Sequence, residues 1–366
     1  MKKRVFHIIS RFDLGGAERV AASIAESGNR DFEYHIVEVL RGSTPFTEGF
    51  IGELQAAGVR CHRSWMPNFH FHFMAERIAA ILFPLRFLMI WLRFKPDIIH
   101  AHTETPDMCL WAFFRVFPWL QKRCRIVRTI HNTCLWTGLK CFGRKVEKFY
   151  QRNNANIAIS KSVLECYNRE YGSVPPIIYN GVPEVEQEKY DSLVNGKVNI
   201  LFAGRFEEQK GISHLVYIIK ALRDMPQYHF HVVGSGKLKQ TVMDELGTLD
   251  NVSVVEPIFG ISRFLASFSY MLMPSEFEGL PLMAVEASMA GMPGICSDCP
   301  GLCETVPSDW LLTAHDNSHD EYMNIFRNIL PNTDRGRLRD IARNFVKERF
   351  SIENMRKGYE QFYDEN

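Results

Sequence analysis

Short apolar runs alternate with longer helical patterns along almost the whole chain, and this alternation limits the fold more than any other feature. Strands that alternate with helices in this way are typical of βαβ units, which assemble into parallel sheets. We therefore predict an α/β protein. The predicted strands are residues 5–10, 34–40, 97–102, 125–131, 157–159, 177–179, 198–202, 229–233, 252–255, 270–273 and 294–297.

The alternation restarts after a polar, charged stretch at residues 183–196, which we interpret as a linker. A chain of 366 residues is about right for two α/β domains. We expect one Rossmann-like domain over residues 1–183 and a second over residues 197–345. A further amphipathic helix, with Ser351 as its cap, is predicted over residues 351–366.

Composition excludes several classes of protein. The formal net charge is +1 and no basic stripe surrounds the predicted site, so we expect no nucleic-acid partner. The nine cysteines have no framework spacing, which indicates reduced thiols in a cytoplasmic protein. Cys296, Cys299 and Cys303 cluster but lack a fourth ligand, so we predict no metal site. The N-terminus runs directly into a predicted strand, and no signal peptide is expected.

The most apolar stretch, residues 78–94, is too short for a membrane span and contains Arg86 and Arg93. Residues 110–128 are similarly rich in aromatic and basic side chains. Two interpretations stay open. These stretches are core helices with snorkelling arginines, or they dock peripherally on an anionic membrane surface.

In open α/β sheets, ligands bind at the carboxyl ends of strands, so the loops after the predicted strands hold the candidate residues. In the first half, Gly15 and Gly16 precede a helix whose N-terminus offers free N–H groups to a phosphate. His102 and His131 end two neighbouring strands, together with His100, and are candidates to bind hydroxyls or shuttle protons.

Two polar residues follow later strands of the first half. Ser160 opens a helix, which suits either a cap or an anion site. Asn180 precedes a glycine, and the pair is either a turn or a ligand contact. We keep both residues as candidate ligand contacts.

The second half places cations after its first strand. Gly204 and Arg205 end this strand, and Lys210 follows after a short loop. An arginine grips oxygens through two N–H groups and a lysine adds a point charge, so the pattern favours a pyrophosphate site. Gly234, at the end of the next strand, would let a base or a ribose lie close.

Residues 274–287 form the most informative block, because two glutamates, Glu278 and Glu286, are separated by seven residues. Glu278 is predicted in a loop, and Glu286 one turn into the following helix, where it would accept hydrogen bonds from a ribose. Backbone amides around the helix start would face phosphate. The predicted amide donors and their loop glycine are Gly279, Leu280, Leu282 and Met283.

These motifs resemble glycosyltransferase family 4, a family of retaining enzymes with GT-B architecture. The family's E-x7-E motif matches Glu278 and Glu286, and its G-R-x4-K-G loop matches residues 204–211. Its G-G-A-E, H-x-H and N-G-V motifs match residues 15–18, 100–102 and 180–182. The resemblance implies two Rossmann-like domains facing across a cleft, with the C-terminal helix returning to the N-terminal domain.

The resemblance also implies a nucleotide-sugar donor, most often linked to UDP, and transfer with retention. Arg205 and Lys210 would neutralise the leaving diphosphate, so neither a cofactor nor a metal ion is expected. His102 would contact the sugar or the acceptor, and Gly15 and Gly16 would approach the diphosphate or the acceptor from the other domain. The further candidate contacts of the sugar or the acceptor are His131, Asn180 and Ser160. Glu278 would orient the donor sugar.

The acceptor is expected to be a glycan, or a glycan linked to a polyprenyl diphosphate, in surface polysaccharide biosynthesis. The protein would then lie in the cytoplasm, with peripheral association at the inner face of the membrane. The alternative is a catalytically inactive relative that serves as a binding partner in a polysaccharide-assembly complex.

Overall fold

A computed structural model describes residues 2–13, 15–66 and 72–364, with side chains for all of them except residues 72–76. The chain divides into two compact units. Unit 1 consists of Met1–Asn180 and Ile352–Asn366, and unit 2 consists of Gly181–Ser351. The stretch interpreted as a linker therefore lies within unit 2.

Unit 1 is built on a parallel sheet. Its strands are β1 (Lys3–Ile9), β2 (Phe32–Glu38), β3 (Arg60–His62), β4 (Ile98–His102), β5 (Arg125–Ile130) and β6 (Asn156–Ala158). Among the described residues, their order across the sheet is β3-β2-β1-β4-β5-β6. The order reverses between β1 and β4, and a doubly wound sheet leaves a crevice at such a reversal.

Unit 2 repeats this topology. Its strands are β7 (Val198–Arg205), β8 (Tyr228–Ser235), β9 (Val252–Val255), β10 (Tyr270–Met273), β11 (Gly294–Ser297) and β12 (Thr313–Ala314). They pair in parallel in the order β12-β11-β10-β7-β8-β9 within the described chain. The reversal here lies between β7 and β10.

Helices connect the strands as the alternation predicts. They are α1 (Gly16–Ala25), α2 (Thr47–Ala56), α3 (His72–Phe94), α4 (Glu104–Val116), α5 (Lys140–Arg152), α6 (Lys161–Tyr171), α7 (Ile212–Ala221), α8 (Lys239–Leu246), α9 (Leu282–Met289), α10 (His319–Asn324), α11 (Arg335–Arg349) and α12 (Ile352–Asp364). α12 belongs to unit 1, where it packs against α1.

The sequence missed the edge strands β3 and β12, which have only three and two residues. The strand predicted at residues 177–179 was wrong. In the described chain, Ile177 makes only an isolated bridge to Ala158. Pro175 and Pro176 directly precede it, and prolines cannot donate to a ladder, so pairing does not extend in that direction.

A buried ion cluster fixes one face of the unit 1 sheet. Arg128 of β5 is 1% exposed, and its guanidinium lies 2.7 Å from Asp107 Oδ2 and 2.6 Å from Glu147 Oε2. The two carboxylates come from α4 and α5. A buried charge is tolerated when it is paired and hydrogen-bonded, so this cluster joins one strand to two helices.

Helix α3 has two apolar faces. One packs on α4, with the rings of Phe87 and Phe113 4.9 Å apart. The other is open, with Ile81 73% and Leu92 65% exposed. Arg86 is buried and donates to the carbonyl oxygen of Glu38 at 2.7 Å, so it is a structural residue. In the part of the chain that the structure describes, no helix combines the length and apolarity needed to cross a bilayer.

Candidate functional site

In unit 2, the predicted cationic residues lie at the reversal of strand order. Gly204 and Arg205 end β7, and Lys210 precedes α7. The Arg205 side chain is 67% exposed and lies 3.8 Å from Glu207, a distance at which a surface pair constrains it little. Lys210 runs beside Gly204, because a Cβ placed on Gly204 would lie 3.9 Å from Lys210 Cδ.

Lys210 and Glu278, which are 68 residues apart in sequence, form an ion pair at the carboxyl ends of the unit 2 strands. Lys210 Nζ lies 2.6 Å from Glu278 Oε1, and the Ser275 hydroxyl donates to the same oxygen at 2.8 Å. Glu278 is only 5% exposed. The loops after β7 and β10 are therefore joined by a nearly buried, hydrogen-bonded charge pair, and one carboxylate oxygen, Oε2, is left outside these two bonds.

Two glycines allow these loops to approach each other. Gly211 has φ +65°, and a Cβ there would lie 1.7 Å from the Pro274 carbonyl oxygen. Gly301 has φ +79°, and a Cβ there would lie 2.3 Å from the Glu278 carbonyl oxygen. Any larger residue would push the Lys210 loop or the Glu278 loop out of place.

The second glutamate of the motif lies on α9. Glu286 is 9% exposed and lines a pocket of about 100 Å³, together with Arg343 and residues 183–185. Leu282 and Met283 are the first two residues of the same helix, where backbone amides have no acceptor within the helix. Leu280, in the loop before this helix, is buried, with 6% of its surface exposed.

Two further predicted glycines have different surroundings. Gly234 pairs with Gly204 in the sheet, and a Cβ on Gly234 would lie 2.0 Å from the Gly204 carbonyl oxygen. Gly279 is partly exposed in the loop between β10 and α9. Close strand packing is thus a sufficient reason for Gly234, whereas Gly279 lies next to Glu278 at the edge where a ligand is expected.

In unit 1, the reversal of strand order brings together the ends of β1 and β4. Gly15 is the N-cap of α1 and Gly16 its first residue. Ser10 Oγ and Thr103 Oγ1 are 2.9 Å apart. Thr103 has φ +74°, which is rare for a β-branched residue, and such strain is concentrated at functional sites.

Three histidines form a hydrogen-bonded chain along this edge. His7 Nδ1 lies 2.9 Å from His102 Nε2, and His102 Nδ1 lies 3.1 Å from His131 Nε2. His7 and His102 are 0% and 1% exposed, whereas His131, just after β5, is partly exposed. Both ring nitrogens of His102 are therefore used within the protein, and His131 is the member of the chain that reaches the surface.

All three imidazoles are held neutral. Burial lowers the pKa of His7 to about 3. Burial, and then the positive charge of Arg128, lower the pKa of His131 to about 3. The pKa of His102 is lowered well below 6.5, by burial first and by neighbouring histidines second. At neutral pH, the chain therefore carries hydrogen bonds and no charge.

His100 belongs to a second polar chain beneath the first. Its Nδ1 lies 2.7 Å from the Tyr363 hydroxyl, and its Nε2 lies 2.7 Å from Thr129 Oγ1. Tyr359 also reaches Thr129, at 3.0 Å. The nitrogens of His7, His100 and His102 are close enough to hold a metal ion, within 4.8 Å of one another. The hydrogen bonds above already use both nitrogens of His100 and of His102, so in this cluster only His7 Nε2 lies outside them.

The remaining predicted contacts lie elsewhere in unit 1. Ser160 is the N-cap of α6, and its hydroxyl accepts a hydrogen bond from the Val163 amide at 3.1 Å. This is the capping interpretation of Ser160. Asn180 is 2% exposed, and its Oδ1 has no hydrogen-bond partner among the residues that the structure describes.

Sequence reasoning missed several residues of the site. Ser275 stood inside the quoted motif, but nothing in a motif tells which oxygen a hydroxyl will contact. His7 lies within the first predicted strand, where a histidine among apolar residues, VFHII, was the available signal. Thr103 and Gly301 have positive φ angles, which threonine rarely adopts and which glycine permits without requiring.

Two protein families match the chain, one over most of each unit. Residues 14–185 match a family described as Glycosyltransferase Family 4, and residues 197–332 match a family described as Glycosyl transferases group 1. Together, the two matches cover most of both units.

Two bacterial proteins show the same similarity. A 41.2 kDa protein from the cps region of Klebsiella pneumoniae is 26% identical over 58% of this chain, and the match spans 63% of that protein, less than two thirds of its length. The capsular polysaccharide biosynthesis glycosyltransferase CapH of Staphylococcus aureus is 24% identical over 78% of each chain.

The fold is similar to that of Anabaena HepE, crystallised with UDP and glucose. The TM-score is 0.79 with 16% identical residues, over 99% of each chain. At this identity, the likeness concerns the fold. The predicted fold class, α/β with two Rossmann-like, doubly wound domains of the GT-B type, is confirmed.

Proposed function

The chain belongs to the glycosyltransferases, with a Family 4 domain followed by a group 1 domain, and from this premise we propose that its donor is a UDP-linked sugar. The proposed acceptor is a glycan, or a glycan carried on a polyprenyl diphosphate, and the proposed product belongs to a surface polysaccharide. The Anabaena neighbour was crystallised with UDP and glucose, and CapH is named for capsule biosynthesis. Both support the proposal.

The observation that carries the proposal is the ion pair of Lys210 and Glu278 beside the exposed Arg205. An ammonium has three N–H donors, and Glu278 uses one of them. The other two, with the guanidinium of Arg205, are suited to a diphosphate. Because the pair is nearly buried, its charges act in a medium of low polarity, where they stabilise developing negative charge more strongly than in water.

We assign each residue one role in the transfer. Arg205 and Lys210 stabilise the negative charge on the leaving diphosphate, and no metal ion is needed for this. Glu278 accepts hydrogen bonds from the donor sugar, and Glu286 accepts them from the ribose. The acceptor hydroxyl attacks the face from which the diphosphate leaves and loses its proton to the leaving phosphate, so the anomeric configuration is retained.

In unit 1, we assign the contact with the sugar or the acceptor to His131. His102 was predicted for this role, but it is buried and both of its nitrogens are hydrogen-bonded within the chain of histidines. His102 therefore acts through His131.

Calorimetric titration of UDP, GDP and ADP into the protein in the presence of EDTA tests the donor site. We expect micromolar binding of UDP, and a rise of at least tenfold in Kd for Arg205→Ala and for Glu286→Ala, each loss corresponding to about 1.4 kcal/mol. Arg337→Ala, which removes an exposed arginine on α11, is the control and should bind as wild type. Tight binding of UDP without turnover of any UDP-sugar would favour the inactive-relative alternative, and binding of no nucleotide would contradict the donor site.

Retention is tested by proton NMR of the transfer product. An α-linked donor should give an α-linked product as the first signal to appear, before any chemical equilibration. A β-linked product would contradict the proposed mechanism while leaving the donor site intact.

We also propose that the open face of α3 docks on an anionic membrane. The exposed apolar residues of this face recur every three or four positions, as one side of a helix requires. They are Ile78, Ile81, Leu82, Leu85, Met89 and Leu92. The exposed cations Arg77 and Arg93 flank them and would meet anionic headgroups.

Flotation with vesicles tests this docking. Wild type should float with vesicles containing phosphatidylglycerol and much less with pure phosphatidylcholine, and Leu85→Ser/Leu92→Ser should stay behind. Leu311→Ser is the matched control, because Leu311 is also an exposed leucine, at 57%, but lies in unit 2. If the control and the α3 variant float equally, α3 is not the docking face.

A further inference from the structure

The chain His7–His102–His131 has an inner end that is chemically incomplete. His7 is 0% exposed, its Nδ1 is bonded to His102, and its Nε2 has no hydrogen-bond partner among the described residues. Buried polar atoms are nearly always paired, so the state of this nitrogen constrains every imidazole that follows.

Neutral imidazoles can be arranged along this chain in only two ways, because each ring carries one N–H and one bare nitrogen. In one arrangement, the N–H groups point from His7 toward His131, and His7 Nε2 is bare. In the other, they point inward, and His7 Nε2 carries a buried N–H that donates to nothing. Orphaned buried N–H groups are rarer than orphaned acceptors, so the outward arrangement is favoured.

The outward arrangement sets the chemistry at the surface. His7 Nδ1–H donates to His102 Nε2, and His102 Nδ1–H donates to His131 Nε2. His131 must then carry its own proton on Nδ1, the ring nitrogen that the chain does not use. We propose that His7 and His102 are positioning residues that fix His131 as a neutral Nδ1–H donor toward a hydroxyl or phosphate oxygen of the substrate.

This inference deepens the proposed function and rests on it, since it assumes that His131 faces a substrate. It also decides between the two roles first considered for the histidines. In the outward arrangement, His131 Nε2 accepts from His102, so His131 presents an N–H and no bare nitrogen to the surface. His131 therefore acts as a hydrogen-bond donor and does not shuttle protons, and the lowering of its pKa by burial agrees with a neutral ring.

The tautomer can be read without any substrate. In nitrogen–proton correlation spectra of ¹⁵N-histidine-labelled protein, we expect the His131 ring, assigned through loss of its signals in His131→Gln, to be protonated on Nδ1. In His7→Phe, the fixed direction is lost and the His131 signals should shift toward a mixture of tautomers. His7→Asn keeps a donor at the position of Nδ1 and should restore the wild-type pattern. Protonation of His131 on Nε2 in wild type would overturn the inference.

Kinetics supply the second readout. We expect His7→Phe to lower kcat roughly tenfold with little change in KM, the rate equivalent of one net hydrogen bond, and His7→Asn to recover most of it. His35→Phe is the matched control, because His35 is also buried in unit 1 and makes a histidine pair, with Nδ1 2.9 Å from His62 Nε2, outside the chain. Equal losses in His7→Phe and His35→Phe would mean a general effect of burial and would contradict the positioning role.

The two proposals fail in different ways. If UDP does not bind or no sugar is transferred while His131 shows the Nδ1–H tautomer under the control of His7, the proposed function fails and the positioning by His7 stands. If transfer proceeds but His7→Phe leaves both kcat and the His131 signals unchanged, the positioning role fails and the transferase stands.

Discussion

Removing the lysine of the Lys210–Glu278 pair separates the structural role of this pair from its role toward a donor. We consider Lys210→Met, Glu278→Gln and the double variant. Lys210→Met leaves a carboxylate that is 5% exposed beside a single hydroxyl, that of Ser275. Glu278→Gln leaves an ammonium on a longer, more flexible side chain, 20% exposed, which can turn toward water.

The magnitudes follow from this difference in burial. Breaking a buried pair by removing one partner costs about 3–5 kcal/mol, and the partial exposure of Lys210 places the lysine variant near the lower value, about 3 kcal/mol. Glu278→Gln should cost about 1 kcal/mol, because the ammonium is not trapped. The double variant contains no unpaired charge, so it should be more stable than Lys210→Met by about 2 kcal/mol.

Thermal unfolding measures these differences. In a domain the size of unit 2, residues 181–351, each kcal/mol shifts Tm by about 2–4 °C. We expect Tm to fall by about 9 °C in Lys210→Met and by about 3 °C in Glu278→Gln and in the double variant. UDP binding, in contrast, should be lost in Lys210→Met and should not return in the double variant.

The reasoning would be refuted by a double variant as unstable as Lys210→Met, because the loss would then come from packing of the lysine stem and not from a stranded carboxylate. Recovery of UDP binding in the double variant would refute the role of Lys210 toward the diphosphate.

Further perturbations test other parts of the structure. Gly211→Ala should lower Tm of unit 2 by at least about 4 °C, from its positive φ and the clash described above, whereas Gly294→Ala, with nothing within 4 Å of the new Cβ, should leave Tm nearly unchanged. His7 and His131 have pKa values of about 3 in the folded protein, below the ordinary 6.5, so the unfolded chain binds protons first as the pH falls. The free energy of unfolding is therefore at its full value above pH 6.5 and falls below it by about 1.4 kcal/mol per histidine and pH unit. We expect Tm of wild type to fall between pH 7 and pH 5, and Tm of His7→Phe to fall less steeply. Arg128→Met leaves two buried carboxylates unpaired and should destabilise unit 1 by about 3–5 kcal/mol, measured by urea unfolding.

The sequence predicted the sheets well, because a parallel strand covered on both faces shows as a continuous apolar run. The strands at residues 252–255, 270–273 and 294–297 have the predicted bounds. The edge strands β3 and β12 were missed, since two or three residues are too few to show a pattern. Position at the carboxyl ends of strands was sufficient to select Arg205, Lys210 and Glu278, and the structure places Arg205 at the end of β7 and the other two in the loops after β7 and β10.

What the sequence did not predict are contacts between residues far apart in the chain. Lys210 and Glu278 were both selected as ligand contacts, but their pairing depends on two glycine-containing loops that meet only in the folded unit. His102 was predicted to contact a ligand because it ends a strand. It is buried, and His131, which lies two residues beyond its register partner Thr129 on the neighbouring strand, is hydrogen-bonded to it. Apolar patterns do not resolve such differences in where neighbouring strands end.

The return of α12 to unit 1 makes unit 2 an insertion, and the two ends of this insertion meet. The Val182 amide donates to the Phe350 carbonyl at 3.0 Å, and Val182 bridges Ser351. Unit 2 can therefore close on itself while the chain is still being synthesised. Unit 1 cannot, because Tyr359 and Tyr363, which hydrogen-bond to Thr129 and His100, emerge from the ribosome only after all of unit 2. During translation, His100 and Thr129 therefore lack these two hydroxyl partners for the whole time needed to make the insertion.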